Sequence, residues 1–287
     1  MRWIISDSVM ISSSEIKLEE NIDILPRGKY LQIAVEIEAL DNLIIRSTSS
    51  EEVLTFHYEK LGNRFIIPWR KIKGRLRRYV MEKQRSLGIF EECHLKDGLC
   101  LQCPSCFMFG ATGETNKNAD PEYKSNVNNS YNLASRILGE TFISVRTVKE
   151  ILDYTANAVD EKTFTTGQAL MTKIFVPAGE KFRGVITLRD PTPEMVSIII
   201  DNLQRMARLG AETRDWGKVK TTILGFIYSD REEISSMDLL ESMPKRLESD
   251  VSKLKLPPVD KAYKKLAVSV QKMLKDEGLI KKQLYSE

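Results

Sequence analysis

Apolar and polar positions alternate from Leu31 to Ala39. Leu31, Ile33, Val35, Ile37 and Ala39 point one way, and Gln32, Ala34, Glu36 and Glu38 the other. A period of two predicts a half-buried strand. Asp41-Asn42 then marks a turn, and Leu43–Ile45 begins a second short strand that ends in Arg46-Ser47-Thr48. A basic residue followed by hydroxyls at a strand end suits phosphate and plain solvent equally. Arg64–Ile67 is a further strand built on the apolar run Phe65-Ile66-Ile67 and stopped by Pro68, which cannot donate to a ladder.

After Pro68 the period changes to that of a helix. Ile72, Leu76, Tyr79, Val80 and Leu87 recur on one face, at the i, i+4, i+7, i+8 spacing. The opposite arc of this stretch, Arg64 to Arg85, carries Arg70, Lys71, Lys73, Arg75, Arg77 and Arg78, with no acid until Glu82. Gly74 lies near the middle of that arc, where a missing side chain admits a backbone or a phosphate. Such a face is either a solvated surface or the grip on a polyanion.

The second half repeats the alternation of strands and helix. Thr141–Val145 reads as a strand, residues 149–175 as a polar projecting hairpin or lid, and Phe182–Leu188 as another strand. Pro191 and Pro193 introduce a helix with Val196, Ile199, Ile200, Leu203, Ala207 and Gly210 on one face, ending at Gly210 as a C-cap. The loop Gly210–Gly217 leads into a last strand, Val219–Tyr228. Strand, helix, strand, strand, helix, strand is the order of a split β-α-β fold. The expected class is therefore α+β, with a ferredoxin-like (RRM-like) core. Its first half is residues 1–90, with a lead-in and the basic helix. An insertion occupies 91–135, the second half of the core 136–230, and a helical C-terminal segment 231–287. Leu266, Val270, Met273 and Leu274 form the apolar stripe of that segment.

Composition narrows the function. Of 287 residues, 42% are apolar and 29% charged, enough for a core and ordinary for a soluble chain. A net charge of +3 is too weak for bulk attraction, so any polyanion must be held by local clusters. No run approaches the roughly 18 apolar residues of a membrane span, and Asp7 interrupts the N-terminal apolar stretch. We expect no signal peptide, no membrane partner and a cytoplasmic location.

All 4 cysteines fall between Cys93 and Cys106. Inside a cell that clustering favours a metal over disulfides. Cys100, Cys103 and Cys106 form a tight knuckle, and either Cys93 or the adjacent His94 completes a tetrahedral set for structural zinc. Residues 110–135, rich in Gly, Asn, Ser and Thr, predict a long mobile loop. Its Lys117, Lys124, Tyr123 and Tyr131 offer charges and rings to a single strand. The only other histidine, His57, has no neighbouring nucleophile or base in sequence, so a structural role is expected for it.

Three places resemble the RAMP superfamily of CRISPR systems. Ile67-Pro68-Trp69-Arg70-Lys71-Ile72-Lys73-Gly74-Arg75-Leu76-Arg77 looks like its I-P-x-S-x-x-K-G-x-x-R segment. Cys103-Pro104-Ser105-Cys106-Phe107-Met108-Phe109-Gly110 resembles its C-x-x-C-x-x-F-G segment. Val176 to Phe182 and Leu209 to Gly217 are similar to its V-P-x-G-x-x-F strand and glycine-rich loop. Arg70 stands where the superfamily usually has Ser, and the loop carries fewer glycines than usual. The chain looks most like the Cas-seven-type backbone subunit of the type I-D Cascade complex.

That resemblance implies a non-catalytic subunit that polymerises along CRISPR guide RNA beside other Cascade subunits and neighbouring copies of itself. A cleft over the sheet, lined by Arg46, Lys71, Lys73, Gly74, Arg75, Arg77, Arg78, Arg208, Arg214 and Lys218, is expected to hold the phosphates. Lys117, Lys124, Tyr131 and the hairpin near Phe164 are expected to assist. Cleaving relatives use an Asp after the first strand. Asp41 lies near that place without the surrounding pattern, so no cleavage is expected. The alternatives are an endoribonuclease working through His57 or Asp41, and a zinc-ribbon adaptor that binds protein alone.

Overall fold

The computed structural model describes residues 16–46, 55–96, 98–159, 162 and 166–286. Ser47, Thr48 and Phe164 lie outside the described residues. The elements run β1 (Tyr30–Ala39), β2 (Thr55–Tyr58), β3 (Gly62–Ile67), α1 (Trp69–Ser86), α2 (Pro104–Phe109), α3 (Pro121–Asn126), β4 (Ile137–Gly139), β5 (Phe142–Ser144), β6 (Leu152–Val159), β7 (Thr166–Phe175), β8 (Lys181–Arg189), α4 (Pro193–Arg205), β9 (Val219–Ser229), α5 (Asp238–Glu241) and α6 (Val259–Asp276). The fold is mixed α/β around one antiparallel sheet of order β2-β3-β5-β8-β1-β9, with β4 also pairing β8. β6 and β7 form a two-stranded ribbon of their own, where the polarity of residues 149–175 predicted a hairpin.

β1 is the centre of the sheet, antiparallel to β8 on one side and β9 on the other. Its face bearing Leu31, Ile33, Val35, Ile37 and Ala39 meets the helical layer, as the alternation predicts. Its other face is less polar in practice than half-burial implies. Ala34 packs with Val185, Ile234 and Leu239, and buried Gln32 accepts from Ile234 N (2.9 Å) while its amide donates to Ile234 O (2.7 Å). A segment downstream of β9 thus covers part of the sheet's second face. Close packing explains two glycines. A Cβ on Gly139 would lie 2.6 Å from the Trp69 ring, and one on Gly184 2.2 Å from the Phe142 ring.

The helical layer is continuous with the cysteine-rich segment. α1 buries Ile72, Leu76, Val80 and Met81, and α6 buries Tyr263, Leu266, Val270 and Leu274, in the same cluster as Cys93, Cys100, Cys103 and Cys106. The C-terminal helix is therefore core, packed on α4. Pro at N1 and the Thr192 side chain, which accepts from Met195 N, start α4. That helix stops at Arg205, short of the expected Gly210. Beyond it Val219 N bonds Ala207 O (2.9 Å) and Arg208 bridges Lys218, so this backbone is drawn into extended pairing. Gly210 instead serves a close approach: at φ +89 its missing Cβ would lie 2.4 Å from Ile44 O.

The expected mobile loop over 110–135 is also corrected. Gly113–Asn116 is a 3-10 turn and Pro121–Asn126 a helix capped by Asp120. Asn126 amide donates to Gln102 Oε1 (2.6 Å) and to Lys282 O (2.9 Å), and Gln271 amide donates to Gln102 O (3.0 Å). Buried amides of this kind satisfy backbone groups that a loop alone leaves bare.

Candidate nucleic-acid interface and cysteine cluster

The basic arc of α1 splits into two sides. Arg70, Lys71, Arg75 and Arg78 line a cleft of about 280 Å³ together with Gly74. Its opposite wall is Ile45, Arg46, Leu209, Gly210, Ala211 and Thr213. The bridge from Ile44 to Ala211 and the bond Ala211 N to Ile44 O (2.9 Å) fasten that wall. The cleft thus lies between the start of α1 and the Gly210–Gly217 loop, not across the open sheet. Arg75 is held in it: Nε donates to Arg208 O (3.1 Å), Nη2 to Tyr79 Oη (2.9 Å), and the guanidinium stacks 4.4 Å from the Tyr79 ring.

α1 has no acid in its first turn. Cations there oppose the helix dipole by about 0.3–1 kcal/mol each. They and the N-terminal amide groups raise one positive potential, which an anion relieves. Gly74 adds room, since a Cβ placed on it meets nothing within 4 Å. Gly74→Ala is accordingly expected to stabilise the chain by about 1 kcal/mol through helix propensity. Gly74→Trp fills the cleft and is expected to weaken polyanion binding more than tenfold while leaving metal content unchanged. Thermal melts, binding curves and elemental analysis on the two variants separate these effects.

Lys73 and Arg77 face elsewhere. Lys73 Nζ donates to Ser135 Oγ (3.0 Å), and Arg77 sits 6.0 Å from the Phe109 ring. Burial, then the nearby Arg77 charge, lowers the Lys73 pKa. These two pack the helix onto the cysteine-rich segment and do not line the cleft. Arg208 lies beside the cleft with its guanidinium on Trp216 O (3.1 Å), and Arg214 and Lys218 are exposed on the loop that follows. Lys117 and Lys124 are exposed on the insertion. Tyr131 is half-buried, its hydroxyl donating to Leu101 O (2.9 Å) and burial raising its pKa. Tyr123 likewise packs on Phe90, 5.3 Å between ring centres. Arg70 was visible in the basic arc and belongs with the cleft. Ile45 and Thr213 belong to two stretches the sequence does single out, the strand end before Arg46 and the loop to Gly217, but nothing local in either signals that they meet in one wall.

The named acid–base candidates are engaged otherwise. Asp41 Oδ1 accepts from Lys218 N (2.8 Å), closing the turn before β9. His57 Nδ1 lies 2.8 Å from Asn63 Oδ1 on the exposed β2–β3 hairpin.

The cysteines form the second feature. Cys93, Cys100, Cys103 and Cys106 are all buried, and their four sulfurs lie within 4.8 Å of one another. The Cys93–Cys106, Cys93–Cys103 and Cys100–Cys106 separations are 3.8, 3.8 and 3.9 Å. Four thiolates about 2.3 Å from a tetrahedral ion stand roughly 3.8 Å apart, so the set fits a metal. Backbone N–H groups of Cys100, Gln102 and Cys106 point at Cys93, Cys100 and Cys103 sulfur, at 3.4, 3.3 and 3.4 Å, which suits sulfur carrying negative charge. His94 is outside the set. Its Nδ1 lies 2.8 Å from Glu92 O, so Cys93 is the fourth candidate ligand.

A mixed α/β chain with a cationic cleft and a buried four-sulfur knot is the class these features define. The chain belongs to the family described as Csc2 Crispr, which matches residues 17–287. The crystal structure of Thermofilum pendens Csc2 shares its fold at a TM-score of 0.54 and 18% identity, covering 90% of this chain and 80% of that one. A chain of a type IV-B CRISPR complex is similar at 0.47 and 13% identity, over 80% and 96% of the two chains. One of a type III-B Cmr-beta complex bound to cognate target RNA is similar at 0.43 and 15%, over 72% and 62%. A comparison with curated proteins finds no match. Among the described residues, no helix is long and apolar enough to cross a membrane.

Proposed function

We propose that this chain is a non-catalytic backbone subunit of a cytoplasmic type I-D CRISPR interference complex. It grips the phosphates of single-stranded guide RNA, oligomerises along it beside the other subunits, and leaves the bases free to pair. The convergence of Arg46, Arg70, Lys71, Arg75 and Arg78 around Gly74 carries this reading, together with the family. Phosphate contacts position without reading sequence, which is what a scaffold for arbitrary guides requires. Exposed Arg214 and Lys218 extend the path from the cleft, and Lys117 and Lys124 offer charge to RNA or to a neighbouring subunit.

The core we read as ferredoxin-like. The order β5-β8-β1-β9, with α1 between β1 and β5 and α4 between β8 and β9, agrees with that class. The metal we read as zinc, since an all-thiolate tetrahedral set with no open position is a structural zinc site. Cys93, Cys100, Cys103 and Cys106 would hold it, and it would brace the insertion against α1 and α6. No cleavage is part of this reading: Asp41 lacks the cleaving relatives' surrounding pattern, and its Oδ1 accepts from Lys218 N in the turn before β9.

Photocrosslinking to 4-thiouridine RNA tests partner and surface together. Crosslinks are expected within residues 70–78 and 209–218. Crosslinks confined to the other sheet edge at β2, or RNA affinity that ignores salt, would sink this reading.

A further inference from the structure

No acid lines the cationic cleft among the described residues. Yet Glu212, between the lining residues Ala211 and Thr213, sends its carboxylate to Arg46, with Oε1 2.5 Å from Nη2. The two side chains are only 31% and 26% exposed, so the pair is screened less than a surface one. The backbone holds this acid in an unusual way. Glu212 has φ +53, a left-handed conformation that costs a residue with a Cβ about 1 kcal/mol or more. The surrounding bonds overcome that cost. Asp215 N and Trp216 N both donate to Glu212 O, at 3.1 and 3.0 Å. Ala211 N is fixed to Ile44 O, two residues from Arg46. A loop that spends strain to seat a carboxylate on the one cleft arginine outside α1 is arranged around that contact.

A carboxylate on a guanidinium presents the same charge-assisted acceptors as a phosphate. We propose that Glu212 is an internal stand-in for an RNA phosphate. It occupies Arg46 while the cleft is empty and yields it when RNA binds, so it sets the affinity of the grip. This rests on the RNA-binding reading of the cleft. The contact has a purpose in a subunit that must hold guide RNA without clinging to every polyanion it meets: part of the cationic charge is spent internally until a strand offers several phosphates at once. The opposite role for the same pair is positioning, in which Glu212 aims Arg46 at the phosphate. The two differ in the sign of a measurable change.

Glu212→Gln keeps the volume and removes the charge. Fluorescence anisotropy with a single-stranded oligouridine should show Kd falling about three- to tenfold, and the salt slope steepening by about 0.7 as one more phosphate contact is gained. Glu212→Asn, which suits a left-handed backbone, should give the same gain. In an Arg46→Ala background both gains should vanish. Unchanged or weaker binding by both single variants overturns the proposal, as does a gain that survives Arg46→Ala. Heparin retention, measured on the same proteins, keeps this outcome separate from the RNA reading. A wild type that ignores RNA but elutes from heparin at lower salt than Glu212→Gln sinks the guide-RNA reading and, with it, Glu212 as a stand-in for RNA phosphate, while showing that the acid still restrains Arg46 toward another polyanion. If neither polyanion responds to loss of the Glu212 charge, the proposal fails whatever the wild type binds.

Discussion

A Cys103→Ser chain is expected to lose tightly bound metal and to melt about 10 °C or more below the wild type. Structural zinc contributes an apparent 10–16 kcal/mol in small domains. Here we expect at least about 4 kcal/mol, near the top of the range for single substitutions. At about 2–4 °C per kcal/mol for a large domain, that gives the stated shift. Cys103 is the informative candidate ligand because it also caps α2, its sulfur accepting from Cys106 N. Serine caps a helix well, so the loss reports the metal ligand and not the cap.

The effect should reach the whole cooperative unit. The four sulfurs share a hydrophobic cluster with α1 and α6, Ser105 N donates to Gln84 Oε1 on α1 (3.2 Å), and Gln271 on α6 donates to Gln102 O (3.0 Å). A chelator applied to the wild type should reproduce the shift. Elemental analysis showing no metal in the wild type, with an unchanged melt for Cys103→Ser, would overturn the metal-brace assignment.

The parts of this molecule that follow a local period were legible in its sequence. β1, α1, β8 and β9 fall where alternation or a helical stripe places them, and α4 begins where its prolines place it but ends five residues early. The cysteine knuckle was equally legible, because Cys100, Cys103 and Cys106 need only short-range geometry to converge. The choice between Cys93 and His94 was not. It depends on how the chain from Phe90 to Gly98 turns, and there the backbone pairs His94 with Gly98 and leaves the imidazole outside.

Two long-range facts had no local signature. Helical spacing places Lys73 and Arg77 on the same basic arc as Lys71 and Arg78, but the insertion packs against their side of α1, which only the folded chain reveals. Similarly, glycine, asparagine and serine in 110–135 signal a loop when no partner is known. Partners 156 residues away, Asn126 with Lys282, turn it into packed structure. Helical spacing alone makes the basic residues one surface, and the fold makes them two.

That division yields the second large expected effect. The triple variant Arg70→Ala, Lys71→Ala, Arg78→Ala should flatten the slope of log K against log salt by about 2, at about 0.7 per phosphate contact on a single strand. At about 0.1 M salt, one decade below 1 M, the same relation implies roughly a hundredfold weaker RNA binding. Stability should hardly change. Arg70 and Arg78 are exposed and Lys71 is half-buried, and such surface changes cost within about 0.5 kcal/mol each. Removing cations from the first turn of α1 even relieves the dipole. The pair Lys73→Ala, Arg77→Ala should behave in the opposite way. It removes the Ser135 contact and the packing on Phe109, so it should lower the melting temperature and leave the salt slope nearly intact. Measuring slope and melt on both variants sets the cleft against the whole arc. A slope that falls as much for Lys73 and Arg77 as for the triple variant would mean that RNA wraps α1 on both sides, and the cleft would lose its standing as the grip.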